Sequence, residues 1–130
     1  MTTPLDAQQS ALLDADGPTR YRHWLERCAA TGLVWGLQGE DGWALVGDED
    51  GKVHFPVWPD AAFASACAMD DWSAYAPQSI PLAEFLGALL PNLAEQEWGL
   101  AVFPGPEGRG VHLTSDELRR DLEDEMTRQP

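Results

Sequence analysis

Between residues 19 and 31 the apolar side chains Tyr21, Trp24, Leu25 and Cys28 recur at i, i+3, i+4 and i+7, with Arg20, Arg22, Glu26 and Arg27 on the remaining face. That period predicts an amphipathic helix with one stripe against a core, ended by Gly32 as its C-terminal cap. Beyond Gly32 the pattern shortens. Residues 33–37, 43–46 and 52–57 are β-prone runs separated by Gly39-Glu40-Asp41-Gly42 and Gly47-Asp48-Glu49-Asp50-Gly51. Short runs with Asp-Gly turns between them predict a three-stranded antiparallel meander. Trp58-Pro59-Asp60 then opens an Ala-rich segment reaching Met69, with Ala62, Phe63, Ala66 and Cys67 on one stripe. So small a face packs closely on something flat, and this second helix is predicted to lie on the sheet.

The stretch from the Asp70-Asp71-Trp72 junction to Ser79 reads as irregular. Pro81 sits where a first helical turn tolerates proline; Leu82, Phe85, Leu86, Leu89, Leu90 and Leu93 follow at helical spacing, and Pro91 is predicted to limit that helix. Residues 97–103 and 110–113 bracket Pro104-Gly105-Pro106-Glu107-Gly108 and predict a hairpin with a long loop. Thr114-Ser115-Asp116-Glu117 is a capping box, in which hydroxyl and carboxylate satisfy each other's orphan backbone N–H groups. Leu118, Leu122 and Met126 then form a narrow apolar stripe with Asp121, Glu123, Asp124 and Glu125 around it, predicting a surface helix with an acidic outer face. Residues 1–17 have little periodicity and read as a mobile N-terminal arm in which Ala11-Leu12-Leu13 can form a helical turn; residues 18–130 read as a single domain. The order α-β-β-β-α-α-β-β-α predicts an α+β fold, with an antiparallel or mixed sheet of about five strands and about four helices packed on it.

Charge changes this picture. The chain holds 22 acidic and 8 basic residues, a net charge of −14. Such a field repels nucleic-acid phosphates and anionic membranes, so neither is an expected partner, whereas a basic protein is drawn in. No apolar run approaches the ~18 residues of a membrane helix, and the start MTTPLDAQQS carries neither a basic region nor an apolar stretch of a secretory signal. A cytoplasmic location is the expectation. Cys28 and Cys67 belong to no Cys-x-x-Cys or Cys/His cluster and read as small buried hydrophobes.

Candidate chemistry is sparse. His23, His54 and His112 are the only histidines, and none stands beside a nucleophile elbow or a cysteine signature, so each reads as structural or exposed. The glycine-rich stretch 104–110 lacks the Lys-Ser/Thr of a phosphate loop. The run Asp48-Glu49-Asp50 lacks the alternating ligands of a calcium loop and reads as a hairpin turn. No catalytic residue, metal ligand or cofactor is therefore expected. The acids are also too scattered to imitate the even spacing of phosphates. A partner-binding surface is expected at Asp48, Glu49 and Asp50, at Asp70 and Asp71 with Trp58 and Trp72 beside them, and at Asp121, Asp124 and Glu125. The function this supports is a non-enzymatic acidic protein-binding module of immunity or inhibitor type. The alternative is a small-ligand sensor or enzyme with a pocket near the Trp58 to Trp72 region.

The segments Val34-Trp35-Gly36-Leu37, Gly42-Trp43-Ala44, Phe55-Pro56-Val57-Trp58-Pro59 and Ile80-Pro81-Leu82-Ala83-Glu84-Phe85-Leu86 resemble a bacterial domain-of-unknown-function family, the one numbered 2750. The likeness spans roughly residues 21 to 118. It implies a small bacterial cytoplasmic domain and carries no activity, cofactor or catalytic residue onto this chain.

Overall fold

The computed structural model describes residues 7–40, 42–69, 72–105 and 110–129. Two helices come first, α1 (Ala7–Leu13) and α2 (Gly17–Thr31). Leu12 and Leu13 of α1, inside the stretch read as an arm, pack against the core. The start of α2 is set by Asp16, whose carboxylate accepts from the Thr19 N–H at 2.8 Å, and by a proline in the first turn. Its end is the predicted one: Gly32 takes a φ of 74° and donates its N–H to the Cys28 carbonyl at 2.9 Å. Trp24, Leu25 and Cys28 are buried, as the period requires.

Among the described residues, seven strands follow in two sheets. The first sheet has the order β2-β1-β5, from β1 (Leu33–Gly39), β2 (Gly42–Trp43) and β5 (Ala76–Pro81). The second has the order β3-β4-β6-β7, from β3 (Val46–Gly47), β4 (Val53–Val57), β6 (Gly99–Val102) and β7 (Val111–Leu113). All pairs are antiparallel except β4 with β6, which run parallel. The α+β class stands, but the expected meander does not lie in one sheet. Its middle run divides at Ala44 and Leu45: Trp43 pairs with Gln38 of β1, and Val46 pairs with His54 of β4. Ala44 is buried while Leu45 is 39 % exposed, so the chain turns a corner there. One seam rejoins the sheets, where Trp35 and Trp58 exchange both backbone hydrogen bonds at 3.0 and 2.8 Å.

The segment expected to be irregular contains β5, which pairs with β1 from Leu33↔Pro81 to Gln38↔Ala76. Its two prolines cannot donate to a ladder, and β5 tolerates them because it is the edge strand of its sheet. The third predicted helix also runs past its expected stop. It comprises α4 (Leu82–Glu84), a π-helical turn (Phe85–Leu89) and α5 (Leu90–Glu95), so Pro91 lies within it. The wide turn passes the helix into α5 with Leu90 donating to the Phe85 carbonyl, which places Pro91 at the opening of a new α-helical segment, where a missing N–H costs little.

The core lies between these sheets and helices, with Trp24, Trp58, Phe63, Phe85 and Phe103 all fully buried. Helix α3 (Ala61–Ala66) packs on β1 and β5 with Phe63 and Ala64 buried, and the last helix, α6 (Ser115–Arg128), packs on α2 and α5. Phe103 sits in the left-handed region at φ 53°, an unfavourable place for a bulky residue. It is held by its N–H donating to the Val57 carbonyl at 2.7 Å, by Arg20 Nε donating to its carbonyl at 3.2 Å, and by its ring on Phe63 at 4.7 Å. Both cysteines are buried and free, and burial pushes the Cys28 thiol up and the Cys67 thiol up to about 11.

Candidate functional site

The capping box at the start of α6 is formed as expected, with Thr114 Oγ1 accepting from the Glu117 N–H and Glu117 Oε1 accepting from the Thr114 N–H. From there the helix departs from its predicted face. Ser115, Leu118, Leu122 and Glu125 point inward, and Met126 is 42 % exposed. Glu125, expected on the outer acidic surface, is therefore a correction: its carboxylate accepts from Arg22 at 2.6 Å and from Gln129 at 3.1 Å. The physical reason is that α2 carries Arg22 along the contact between the two helices, and a carboxylate there is paired rather than solvated. Asp121 is half-buried one turn earlier and accepts from the Tyr21 hydroxyl at 2.6 Å. Asp124 stays exposed, with Asp116 and Glu123.

Trp58 is a second correction. It is fully buried, donates its indole N–H to the Pro104 carbonyl at 2.9 Å, and meets Trp72 edge to face at 6.1 Å. Its backbone forms the seam with Trp35, so its ring is drawn between the sheets. Trp72 is half-buried on the same cluster. Asp70 and Asp71 lie outside the described residues, as does the 106–109 part of the loop between β6 and β7.

Asp48, Glu49 and Asp50 form the turn from β3 to β4, as expected. Asp48 Oδ1 accepts from the backbone N–H groups of Asp50 and Lys52, both at 2.9 Å, and Gly51 supplies the positive φ of 83°. Glu49 and Asp50 project into solvent. Tertiary structure sets this turn near the first turn of α6. The Glu117 carboxyl is held below the usual range foremost by its Thr114 partners, with the Lys52 ammonium among the cations that add to the effect. The turn and the start of α6, more than sixty residues apart in the chain, thus lie at one end of the second sheet.

The same region brings together three residues that the sequence leaves apart. His54 of β4 and His112 of β7 stack with ring centroids 4.0 Å apart at 22°, although β6 runs between their strands. Gly99 of β6 makes this possible. It is the ladder partner of His54, and a Cβ there would lie 2.9 Å from the Leu113 carbonyl oxygen and 3.0 Å from His54 Cδ2, so a side chain would press on both β7 and the ring. Asp48 completes the group, with Oδ2 3.9 Å from His54 Nδ1. His54 is 4 % exposed, and its Nδ1 has no hydrogen-bond partner. Burial, then His112, push the His54 imidazole below its ordinary value. The Lys52 amide foremost, with the Asp50 amide and the two imidazoles, holds the Asp48 carboxyl below the usual carboxylate range. Among the described residues this is the group of His, Cys, Asp and Glu side chains close enough to share one ion. The sequence does carry one signal for it, a glycine inside the apolar strand Leu100–Val102 continues, since such a glycine marks a close approach.

A family described as a protein of unknown function, DUF2750, matches residues 21–122 of the 130-residue chain. The chain belongs to this family. No curated protein and no solved structure matches it. In this DUF2750 domain the match takes in all seven strands and α6 as far as Leu122, and so includes the turn at Asp48, His54, Gly99 and His112. No helix among the described residues is long and apolar enough to cross a membrane.

A further cleft of about 500 Å³ opens between the face of the first sheet and the helix over 82–95. Gln38, Gln78 and Asn92 bring amides to it, Trp43, Ile80 and Leu89 line it with apolar surface, and neither Trp58 nor Trp72 contributes. Its helical wall includes Ala88 and Leu89 of the π-helical turn. Gly36 shapes the opposite wall, since a Cβ there would stand 3.0 Å from the Trp43 ring.

Proposed function

We propose that this DUF2750 domain is an acidic protein-binding module whose partner is a basic protein. The observation that carries the reading is uncompensated surface charge: Glu49 and Asp50 of the turn, Asp116 at the start of α6, and Glu123 and Asp124 farther along that helix are exposed and carry no ion pair among the described residues. The arginines Arg22 and Arg27 are meanwhile committed to Glu125 and Asp60. Uncompensated charge of one sign steers an oppositely charged partner and disfavours others. Replacing Glu49, Asp50, Asp116 and Asp124 together by their amides should abolish capture of the partner from host lysate at about 50 mM salt while leaving the melting profile in place. Wild-type capture should itself fall by about tenfold or more toward 500 mM, where screening is several-fold stronger. Capture that ignores both salt and the four substitutions sinks the proposal.

The cleft supports a second reading, a small polar ligand held by the amides of Gln38, Gln78 and Asn92. Its volume is within the usual range for ligand sites, and π-helical turns recur beside such sites. A metabolite bound there should raise the unfolding free energy by about 2.7 kcal/mol at a concentration a hundred times its Kd. Asn92→Leu should remove that gain. A broad metabolite screen in which no compound shifts the wild-type melt more than the variant's counts against this reading.

A further inference from the structure

The turn after β3, strand β4 and strand β7 deliver one carboxylate and two imidazoles to a single spot. We propose that Asp48, His54 and His112 bind a divalent transition-metal ion of the zinc class. Their donor atoms all lie within 4.8 Å of one another, and the Asp48 to His54 separation is 3.9 Å. Too long for a hydrogen bond, that separation leaves the buried Nδ1 of His54 without a partner and Oδ2 of Asp48 facing it. An ion seated between them satisfies both. Asp48 is pre-oriented for this, because its other oxygen is taken by the Asp50 and Lys52 amides. Such support from neighbouring groups is what fixes a metal ligand in place.

Bonds of about 2.0–2.1 Å in a tetrahedral site put the ligand atoms roughly 3.3 Å apart, so the three donors must close by about an ångström. Asp48 and His54 close by about half an ångström, and the larger movement falls to His112, which is exposed while His54 is buried against Gly99. Imidazole lone pairs lie in the ring plane, so the stacked His112 ring turns out of the stack to point its nitrogen at the ion. Two imidazoles and one carboxylate suit zinc and its first-row neighbours over magnesium or calcium, which take oxygen ligands. Three protein donors leave a further position for water. His112 and the Lys52 ammonium oppose positive charge on His54, the Asp48 carboxylate and the Lys52 backbone carbonyl favour it, and the acids Glu49 and Asp50 lie in the same turn.

The test is calorimetric titration of the full chain, stripped with chelator, using zinc ion in excess magnesium. Saturable binding of one zinc per chain is expected. His112→Ala and Asp48→Asn should each weaken it by about tenfold or more, since loss even of a group that only orients a ligand costs that much. Asn at 48 keeps the oxygen that accepts from the turn amides, and His112 is exposed, so both variants should retain the wild-type melt. Glu49→Gln with Asp50→Asn should weaken zinc binding far less than either ligand variant, because neither side chain supplies a donor. No saturable binding, or equal binding in His112→Ala, overturns the site and assigns the zinc to scattered carboxylates or thiols. Salt-dependent partner capture is independent of either result.

Discussion

Trp58→Ala should lower the unfolding free energy by about 3–5 kcal/mol, the cost of emptying a fully buried aromatic site. Trp58 is where the two sheets meet: its backbone pairs with Trp35, its indole N–H reaches the Pro104 carbonyl at 2.9 Å, and Trp72 rests edge-on against its ring. Truncation removes the packing and leaves that carbonyl only the weaker Cys67 thiol donor at 3.4 Å. With urea slopes of about 2 kcal/mol/M for a domain of this size, the midpoint should fall by about 2 M. Trp58→Phe keeps most of the ring and loses the hydrogen bond, so it should cost about 1–2 kcal/mol beyond the small volume change. A loss below about 1 kcal/mol for the alanine variant would show that the sheets are joined by something other than this residue.

Arg22→Met should cost about 2–3 kcal/mol, because it removes the nearest cation from the Glu125 carboxylate on the buried side of α6. The figure is below that for a fully buried pair, since Arg22 is 43 % exposed, Gln129 still donates to Glu125 and Arg128 stays 3.6 Å from it. Adding Glu125→Leu should recover most of the loss, giving a double variant within about 1 kcal/mol of wild type and a coupling energy that a double-mutant cycle reads directly. The pH dependence has a definite sign. Gln129 foremost, with Arg22 and Arg128, holds the Glu125 carboxyl below its ordinary value of 4.5 in the folded chain. The stability this confers is present above 4.5 and lost as pH falls through the folded value, so the deficit of Arg22→Met should shrink in acid. A deficit that stays constant from neutral to strongly acidic pH would mean that the ion pair is not its cause.

Local signals were legible in proportion to how local their physics is. The capping box at Thr114, the Gly32 stop, the amphipathic stripe of α2 and the Asp48 turn all arise from residues within a turn of one another, and all four formed as the sequence indicates. Strand β5 was hidden because its prolines erase the usual strand pattern and its pairing partner lies about forty residues upstream. Pro91 reads as a stop in isolation, and only the π-helical turn before it lets the helix continue. Glu125 looks like one more surface acid until α2 brings Arg22 to it.

The candidate sites divide along the same line. Sequence by itself determined the acidity, the turn at Asp48 to Asp50, the α+β class and the family resemblance, because these rest on composition and short-range pattern. Only tertiary structure decided which acids face outward together, that Trp58 lies inside, and that His54 and His112 meet across Gly99 beside Asp48. Those contacts join three strands in a mixed sheet, and strand order depends on which edges bury the most apolar surface across the whole domain, a competition that no local window of residues records.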